Sequence, residues 1–233
     1  MPAGLISFDA AGTLIFPAVP VEVTYSAFAA ARGLDVEPAA LKESLRKIWR
    51  QTPPPFFPEG QRSSDDDRSW WRQLVAHVFA DALGKPVERE LLDGLFSVLY
   101  DHYAEAEAWS VFPDVVPALD LLGEDYILCV LSNFDRRLCS ILRGHDLLGR
   151  FRSVVLSSEV GVAKPHRRMF DEVQSRFAVA PERCLHVGDE PVNDVEGAQN
   201  AGWAAWHVMR PAADLQTMAQ KVREGAFSGL QHR

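Results

Sequence analysis

The sequence predicts an α/β protein, in which a parallel sheet carries helices on both faces and an all-helical segment interrupts the alternation. Short, nearly continuously apolar runs are typical of strands that are covered on both sides. Helical patterns alternate with these runs along the chain. Residues from about 17 to 109 contain helical patterns only. The chain of 233 residues therefore divides into a core of residues 1–16 and 110–233 and a helical cap of residues 17–109.

Five apolar runs predict the strands of the core. They are "GLISF" before Asp9, "YILCVLS" ending at Ser132, "SVVLS" ending near Ser157, "RCLHVG" ending before Asp189, and "WAAWHV". Helical patterns lie at residues 114–122, 136–143, about 167–177, and 192–201. Because strands and helices alternate, the strands are expected to lie parallel in one doubly wound sheet.

Three amphipathic patterns predict helices of the cap: "VEVTYSAFAAARG", "WWRQLVAHVFADALG" and "LLDGLFSVLYDHY". The segment from Gln51 to Arg68 has too many prolines and clustered acids for regular structure. It is expected to be either a lid over a site or a solvated connection. Its three consecutive acids, Asp65, Asp66 and Asp67, are interpreted as a solvated helix entry rather than a metal cluster.

The composition is that of an ordinary globular protein and limits its partners. Hydrophobic residues make up 47% of the chain and charged residues 24%, and the net charge of −8 argues against nucleic acid as a partner. With no targeting segment and no membrane-spanning run visible, a cytoplasmic protein without a membrane partner is expected. The cysteines Cys129, Cys139 and Cys184 are expected to be free thiols rather than disulfides or metal ligands.

Polar residues follow the predicted strands at the points where open parallel sheets bind ligands. One of them alone would more often be a helix cap or part of a turn. Together they are expected to bring a carboxylate, a hydroxyl, an ammonium group and two further acids into one crevice. Along the chain they are Asp9, Ser132, Asn133, Lys164, Asp189 and Asp194.

The motifs around these residues resemble, in order, the four motifs of the haloacid dehalogenase (HAD) superfamily. They are "FDAAGTL", "LSNFD", "AKP" and "VGDEPVNDVEGAQNAG", and they span almost the whole chain. The atypical first motif, "SNFDRRL" and the double tryptophan of the cap are similar to the branch represented by haloacid dehalogenase-like hydrolase domain-containing protein 3. The resemblance implies a Rossmann-like core with an inserted helical cap, and a hydrolytic activity.

The resemblance also implies catalytic and metal-binding roles. Asp9 would be the nucleophile that attacks phosphorus, and Lys164 would neutralise charge on the nucleophile and the transferring group. Mg²⁺ would be bound by Asp9, Asp189 and the backbone carbonyl of Ala11, because hard oxygen ligands suit this ion. Asp194 would support the metal shell.

Other residues are implied to bind the phosphate group or to shape the site. Ser132 and the backbone N–H of Asn133 would bind phosphate oxygens, and Thr13 would orient the loop or the phosphate. Gly12 would permit a tight turn that a side chain would block. His186 lies within an apolar run and is interpreted as a core histidine rather than a ligand.

Ala11 occupies the position where phosphatases of this superfamily have an aspartate that protonates the leaving alkoxide and then activates water. General acid–base catalysis typically contributes about 10² to 10⁴ in rate, so its loss slows the cleavage of alkyl esters without weakening binding. Three interpretations stay open. They are a phosphohydrolase that is slow or takes its acid from the cap, from Glu190 or from the substrate, a C–P or C–halogen hydrolase, and a phosphate- or partner-binding protein.

Two observations argue against the second interpretation. A C–P hydrolase of this superfamily needs a cap lysine for a Schiff base, but Lys42 and Lys47 lie on a charged helix face. A dehalogenase has no use for the metal carboxylates that Asp189 and Asp194 would supply. The sequence therefore favours a Mg²⁺-dependent hydrolase that acts on a small phosphorylated metabolite, as a monomer or homodimer.

Overall fold

The core of the protein is a five-stranded parallel sheet, which confirms the predicted fold class. The computed structural model describes residues 4–53 and 67–225. The strands are β1 (Leu5–Phe8), β2 (Ile15–Pro17), β3 (Trp109–Val111), β4 (Ile127–Ser132), β5 (Ser153–Leu156), β6 (Cys184–Gly188) and β7 (Ala204–His207). The order of the large sheet is β5-β4-β1-β6-β7, and β2 and β3 form a separate antiparallel pair.

The helices follow the predicted alternation. They are α1 (Val21–Ala30), α2 (Pro38–Gln51), α3 (Asp67–Leu83), α4 (Arg89–His102), α5 (Val115–Leu122), α6 (Arg137–Gly144), α7 (Ser157–Val160), α8 (Arg167–Phe177), α9 (Gly197–Asn200) and α10 (Leu215–Arg223). The predicted helix at residues 192–201 begins as a π-helical segment, Pro191–Glu196, before α9. This wider turn directly follows the carboxyl end of β6.

Strand β1 lies in the middle of the sheet and is buried on both faces. Ile6 and Phe8 belong to the hydrophobic cluster on one face, whereas Leu5 belongs to the cluster on the other. Phe8 is in register with Val130 of β4 and Val187 of β6. Because the three strands are parallel and in register at this end, the residues that follow them lie together at one edge.

The helices α1 to α4 form a helical insertion between β2 and β3, with a hydrophobic cluster of its own. Phe79, Leu95 and Leu99 are almost completely buried in it, and the ring of Tyr25 stacks on that of Phe79 with centroids 5.8 Å apart. Full burial of such a side chain contributes about 1.5 to 3 kcal/mol. The insertion therefore has its own source of stability, separate from the sheet.

The segment from Gln51 to Arg68 is shorter than predicted at both ends, since α2 extends through Gln51 and α3 begins at Asp67. The residues between 53 and 67, with Asp65 and Asp66, lie outside the described residues. In the described ranges, no helix combines the length and the apolar character needed to cross a bilayer. Cys129 and Cys184 are buried free thiols, as predicted, while Cys139 is only half-buried.

Candidate active site

Asp9 lies at the carboxyl end of β1 and is the centre of the candidate site. Its backbone N–H donates to the carbonyl of Val187 at 2.9 Å, which extends the pairing of β1 and β6 by one residue. The side chain is held next to this fixed backbone and has 8% of its surface exposed. The carboxylate is thus placed by the sheet rather than by a flexible loop.

Lys164 connects Asp9 to Asp194 in a buried charge cluster. Its Nζ donates to Asp9 Oδ1 at 2.9 Å and to Asp194 Oδ1 at 2.6 Å, and lies 3.3 Å from His186 Nε2. Lys164 and Asp194 are each 1% exposed. A buried ammonium group between two carboxylates is compensated electrostatically, which is the condition under which a charge can remain buried.

Burial and the neighbouring charges determine the protonation state of each member of the cluster. Burial lowers the pKa of Lys164, but the carboxylates of Asp194 and Asp9 outweigh burial, so that the pKa is raised and the group is ammonium. Burial raises the pKa of Asp194, but Lys164 and then His186 outweigh it, so that this pKa is lowered. Burial, followed by the nearby Lys164 charge, lowers the pKa of His186 and keeps the ring neutral at pH 7.

His186 is a core residue, as predicted, and it also belongs to the charge cluster. Its Nε2 lies 3.1 Å from Asp194 Oδ1, and its Nδ1 lies 2.7 Å from Ser7 Oγ. With the ring proton on Nε2, the ring donates to Asp194 and accepts from the Ser7 hydroxyl. No motif indicated the contact with Ser7, although both residues lie in runs that predict strands.

Asp189 faces the same carboxylates but has no lysine of its own. Oxygen atoms of Asp9, Asp189 and Asp194 all lie within 4.8 Å of one another. Burial and then the charge of Asp9 raise the pKa of Asp189 to about 6, although a hydrogen bond from Thr13 acts in the opposite direction. In the described part of the chain, the repulsion between Asp189 and the neighbouring carboxylates is not compensated by a nearby cationic side chain. Carboxylate oxygens this close together are suited to bind a hard divalent cation.

Thr13 contacts one of the carboxylates of the site. Its Oγ1 donates to Asp189 Oδ1 at 3.0 Å, and the residue has no exposed surface. Thr13 therefore orients a carboxylate, and its role toward a phosphate stays a prediction. Gly12 has a φ of +88°, and a Cβ there would overlap the Asp189 carboxylate. The predicted tight turn is present, and it also lets the loop approach Asp189 closely.

Arg210 fixes this turn from the far end of the chain. Its guanidinium donates to the carbonyls of Gly12 at 3.0 Å and Thr13 at 2.6 Å. The same group pairs with Asp114 at 3.1 Å and lies over the ring of Phe112, 3.7 Å from its centroid. A planar, permanently charged group suits such a fork of acceptors. No motif in the sequence indicated this contact.

Ser132 is the last residue of β4 and Asn133 follows it, and β4 lies on the opposite side of β1 from β6. The side chain of Asn133 is paired with the backbone of Lys164, accepting from its N–H at 2.6 Å and donating to its carbonyl at 3.0 Å. This side chain therefore positions the lysine segment. Ser132 lines the same cavity as Asp9 and is almost completely buried.

These residues form the floor of a cavity of about 280 Å³ between the core and the helical insertion. Its floor includes Asp9, Ala11, Ser132, Asn133, Lys164, Glu190, Asn193 and Asp194. Its roof comes from the insertion and the adjoining segments and includes Trp49, Thr52, Asp67, Trp70, Trp71, Trp109 and Phe134. The floor is therefore polar and charged, and the roof is mostly aromatic.

The interpretation of Asp67 as part of a solvated helix entry is wrong. Asp67 is 2% exposed and lines the cavity from the first turn of α3. The sequence pattern showed only a run of acids, whereas burial depends on α3 beginning over the floor of the cavity. The lysines of the insertion behave as predicted: Lys42 pairs with Glu22 and Lys47 with Asp81 on the surface.

A family model described as haloacid dehalogenase-like hydrolase matches residues 4–202. The chain belongs to the haloacid dehalogenase-like hydrolase family. It is 35% identical over 203 residues to haloacid dehalogenase-like hydrolase domain-containing protein 3 of Xenopus laevis, covering 87% of this chain and 82% of that protein. The resemblance seen in the motifs is thereby confirmed, and the family assignment supports a hydrolytic activity.

Solved structures of the HAD family have the same fold with different chemistries. A HAD phosphatase from Thermococcus onnurineus has a TM-score of 0.62 at 20% identity, covering 95% of this chain and 96% of its own. The L-2-haloacid dehalogenase from Xanthobacter autotrophicus has a TM-score of 0.65 at 23% identity, covering 99% and 86% respectively. Likeness to both a phosphatase and a dehalogenase shows the fold alone, so the reaction has to be argued from the site.

Proposed function

We propose that the protein is a Mg²⁺-dependent phosphohydrolase that transfers the phosphoryl group of a small phosphate ester to Asp9. The observation that carries this proposal is the contact of Lys164 with both Asp9 and Asp194 on the floor of the cavity. A buried ammonium group next to the carboxylate lowers the repulsion that opposes attack on a phosphate dianion.

The carboxylates also fit the predicted cation. Asp9 and Asp189, with the Ala11 carbonyl on the turn between them, would hold Mg²⁺, and Asp194 would support this shell from its place beside Lys164. Bound there, the ion would neutralise charge on the phosphoryl oxygens. The proximity of three carboxylates and the raised pKa of Asp189 support this assignment.

The residues of the chain would then act in two steps. Asp9 attacks phosphorus while Lys164, Ser132 and the backbone N–H of Asn133 bind the phosphate oxygens. The ester bond breaks, and the leaving oxygen departs with its electron pair. Water then attacks the aspartyl phosphate, which releases inorganic phosphate and regenerates the carboxylate. Residues 17–109 would act as a cap that excludes bulk water and selects the substrate.

Ala11 slows both steps in this scheme, the first of them when the leaving group needs a proton. Its methyl group neither donates a proton to the leaving oxygen nor activates the attacking water. Glu190 lines the cavity, and burial followed by the charges of Asp194 and Asp9 raises its pKa. We expect that no protein group replaces the missing aspartate. Glu190 is the alternative, as a general acid from the floor of the cavity.

The test is pre-steady-state release of p-nitrophenolate from p-nitrophenyl phosphate in the presence of Mg²⁺. This anion leaves without a proton, so a burst near one equivalent per site followed by slow turnover is expected. Asp9→Asn should abolish the burst. A protein that binds phosphate but gives no burst would instead be the phosphate-binding protein that Ala11 leaves open, and the phosphohydrolase proposal would be wrong.

A further inference from the structure

The roof of the cavity contains a cluster of three tryptophans from the helical insertion. The ring centroids of Trp49 on α2 and Trp70 on α3 are 6.0 Å apart, and those of Trp70 and Trp71 are 4.8 Å apart. Trp109 and Phe134 lie at the junction with the core, with centroids 5.8 Å apart. All five rings line the cavity whose floor contains Asp9.

Packing against the core of the insertion accounts for Trp71 but not for the other two tryptophans of this cluster. The hydrophobic core of the insertion is built around other residues, and in the described ranges neither Trp49 nor Trp70 belongs to it. Trp49 has 51% of its surface exposed. The indole N–H of Trp70 donates to the Pro53 carbonyl at 2.9 Å, which fixes the orientation of the ring. Oriented, partly exposed indole rings facing a charged floor are suited to stack on a flat organic group.

Apart from the tryptophans, the floor of the cavity also limits which leaving groups can depart. Position 11 carries a methyl group where a proton donor would be needed for an alkoxide to leave. Asp194 does not take this role because both of its oxygens are engaged: Oδ1 accepts from Lys164 Nζ at 2.6 Å, and Oδ2 accepts from the backbone N–H of Glu190 at 2.9 Å. An aryloxide leaves as the anion, since a phenol has a pKa of about 10, as the tyrosine side chain does. The missing acid is therefore tolerated when the phosphate is attached to an aromatic ring.

The cavity has the volume for such a molecule. An apolar cavity of about 150 Å³ is sufficient to bind benzene, and the cavity here measures about 280 Å³. One ring under the tryptophans and one phosphoryl group over Asp9 fit in this space.

We propose that the substrates are aryl phosphate monoesters, with the aromatic ring stacked on one of Trp49 and Trp70 and in edge contact with the other, since the two indole planes lie 82° apart. This proposal rests on the proposed phosphoryl transfer to Asp9 and adds the substrate class to it. The Asp9 carboxylate forms the new P–O bond, the bond from phosphorus to the aryl oxygen breaks, and the aryloxide leaves with the electron pair. The aryloxide takes its proton from water after release, and a second water hydrolyses the aspartyl phosphate.

The experiment compares four compounds in the full-length protein with Mg²⁺. Phenyl phosphate has both the ring and the good leaving group, 2-phenylethyl phosphate has the ring only, acetyl phosphate has the good leaving group only, and propyl phosphate has neither. We expect phosphorylation of Asp9 by phenyl phosphate and acetyl phosphate, with rates for the two alkyl esters lower by at least about 10². Equal rates for the two ring compounds would show that another acid operates, and would overturn the proposal.

Variants of the roof test the role of the ring. Trp49→Ala combined with Trp70→Ala should lower kcat/KM for phenyl phosphate at least about 10-fold more than for acetyl phosphate. The corresponding pair of Trp→Phe substitutions should recover most of this difference. Gln73→Ala, on an exposed position of α3, is the matched control. Equal losses for both compounds, or no loss, would contradict the stacking.

The outcomes also separate this proposal from the one on which it rests. Phosphorylation by acetyl phosphate without any phenyl phosphate reaction would refute the substrate class and leave the phosphohydrolase in place. If neither compound phosphorylates Asp9, the proposed function itself is wrong.

Discussion

The floor and the roof of the cavity are held together by different interactions, buried ion pairs on the floor and contacts between aromatic rings on the roof. On the floor, Lys164 and Asp194 are almost completely buried and form an ion pair, in segments that follow β5 and β6. On the roof, Trp49 is half-exposed and its contacts are between rings. From this comparison we infer that the core carries the groups that react with the phosphate, while the insertion carries the groups that select the substrate.

Two lysine–aspartate pairs show the difference most directly. Lys164 Nζ lies 2.6 Å from Asp194, and Lys47 Nζ on the insertion lies 2.5 Å from Asp81. The side-chain exposure of the two lysines is 1% and 52%. Because the distances are nearly equal, the two pairs differ mainly in burial and in the additional contact of Lys164 with Asp9.

Replacing Lys164 should have the largest effect. Lys164→Met leaves buried carboxylates without their cation, and we expect the free energy of unfolding to fall by about 3 to 5 kcal/mol. Phosphorylation of Asp9 should fall by at least about 10². Lys47→Met is the matched control, with a loss below about 1 kcal/mol and an unchanged burst. Urea unfolding and burst amplitudes measure both, and equal stability losses in the two variants would contradict the comparison.

Restoring an acid on the floor should have the next largest effect. Ala11→Asp is expected to raise the turnover of alkyl phosphates by about 10², because the carboxyl group can protonate the leaving oxygen. It should also remove the p-nitrophenolate burst by speeding hydrolysis of the aspartyl phosphate. Ala11→Asn has a similar size but no proton to donate, and it should show neither change. If Asn acts like Asp, the missing acid is not what limits the rate.

Neutralising Asp189 should give the smallest effect. The folded-state pKa of Asp189 is raised from 3.8 to about 6, so the stability it contributes is present below pH 4 and is lost as the pH rises through 6. Asp189→Asn should therefore stabilise the metal-free protein at pH 7 by about 1 kcal/mol, after discounting for partial exposure. Thermal unfolding in EDTA at pH 7 and pH 4 measures this difference.

Added Mg²⁺ should make the wild-type protein more stable than Asp189→Asn, the reverse of the order in EDTA at pH 7. The ion stabilises the form that binds it, so wild type should gain more than Asp189→Asn as Mg²⁺ is raised. Equal gains in both proteins would mean that Asp189 is not part of the metal site.

The floor of the cavity could be predicted well because parallel strands bring their carboxyl ends to one edge. Asp9, Ser132 and Lys164, which line the cavity, and Asp189, whose carboxylate lies close to that of Asp9, were each placed from an apolar run or a motif. This inference needs only the positions of the strands along the chain and the fact that they run parallel.

The roof could not be predicted in the same way. The sequence indicated helical patterns for the insertion, but the meeting of Trp49 with Trp70 depends on how α2 crosses α3. The burial of Asp67 depends on the same packing, and a run of three acids gave the opposite indication. Amphipathic periodicity identifies the face that a helix buries and says little about what that face meets.

The contact of Arg210 with the Gly12 turn has a consequence for biosynthesis. The two residues are 198 positions apart, so the turn beside Asp9 leaves the ribosome long before the arginine that holds it. A nascent chain therefore has its nucleophile well before it has the arginine that supports the neighbouring turn. Shortening the chain before Arg210 would release the same turn, so a later part of the chain controls the geometry of an earlier one.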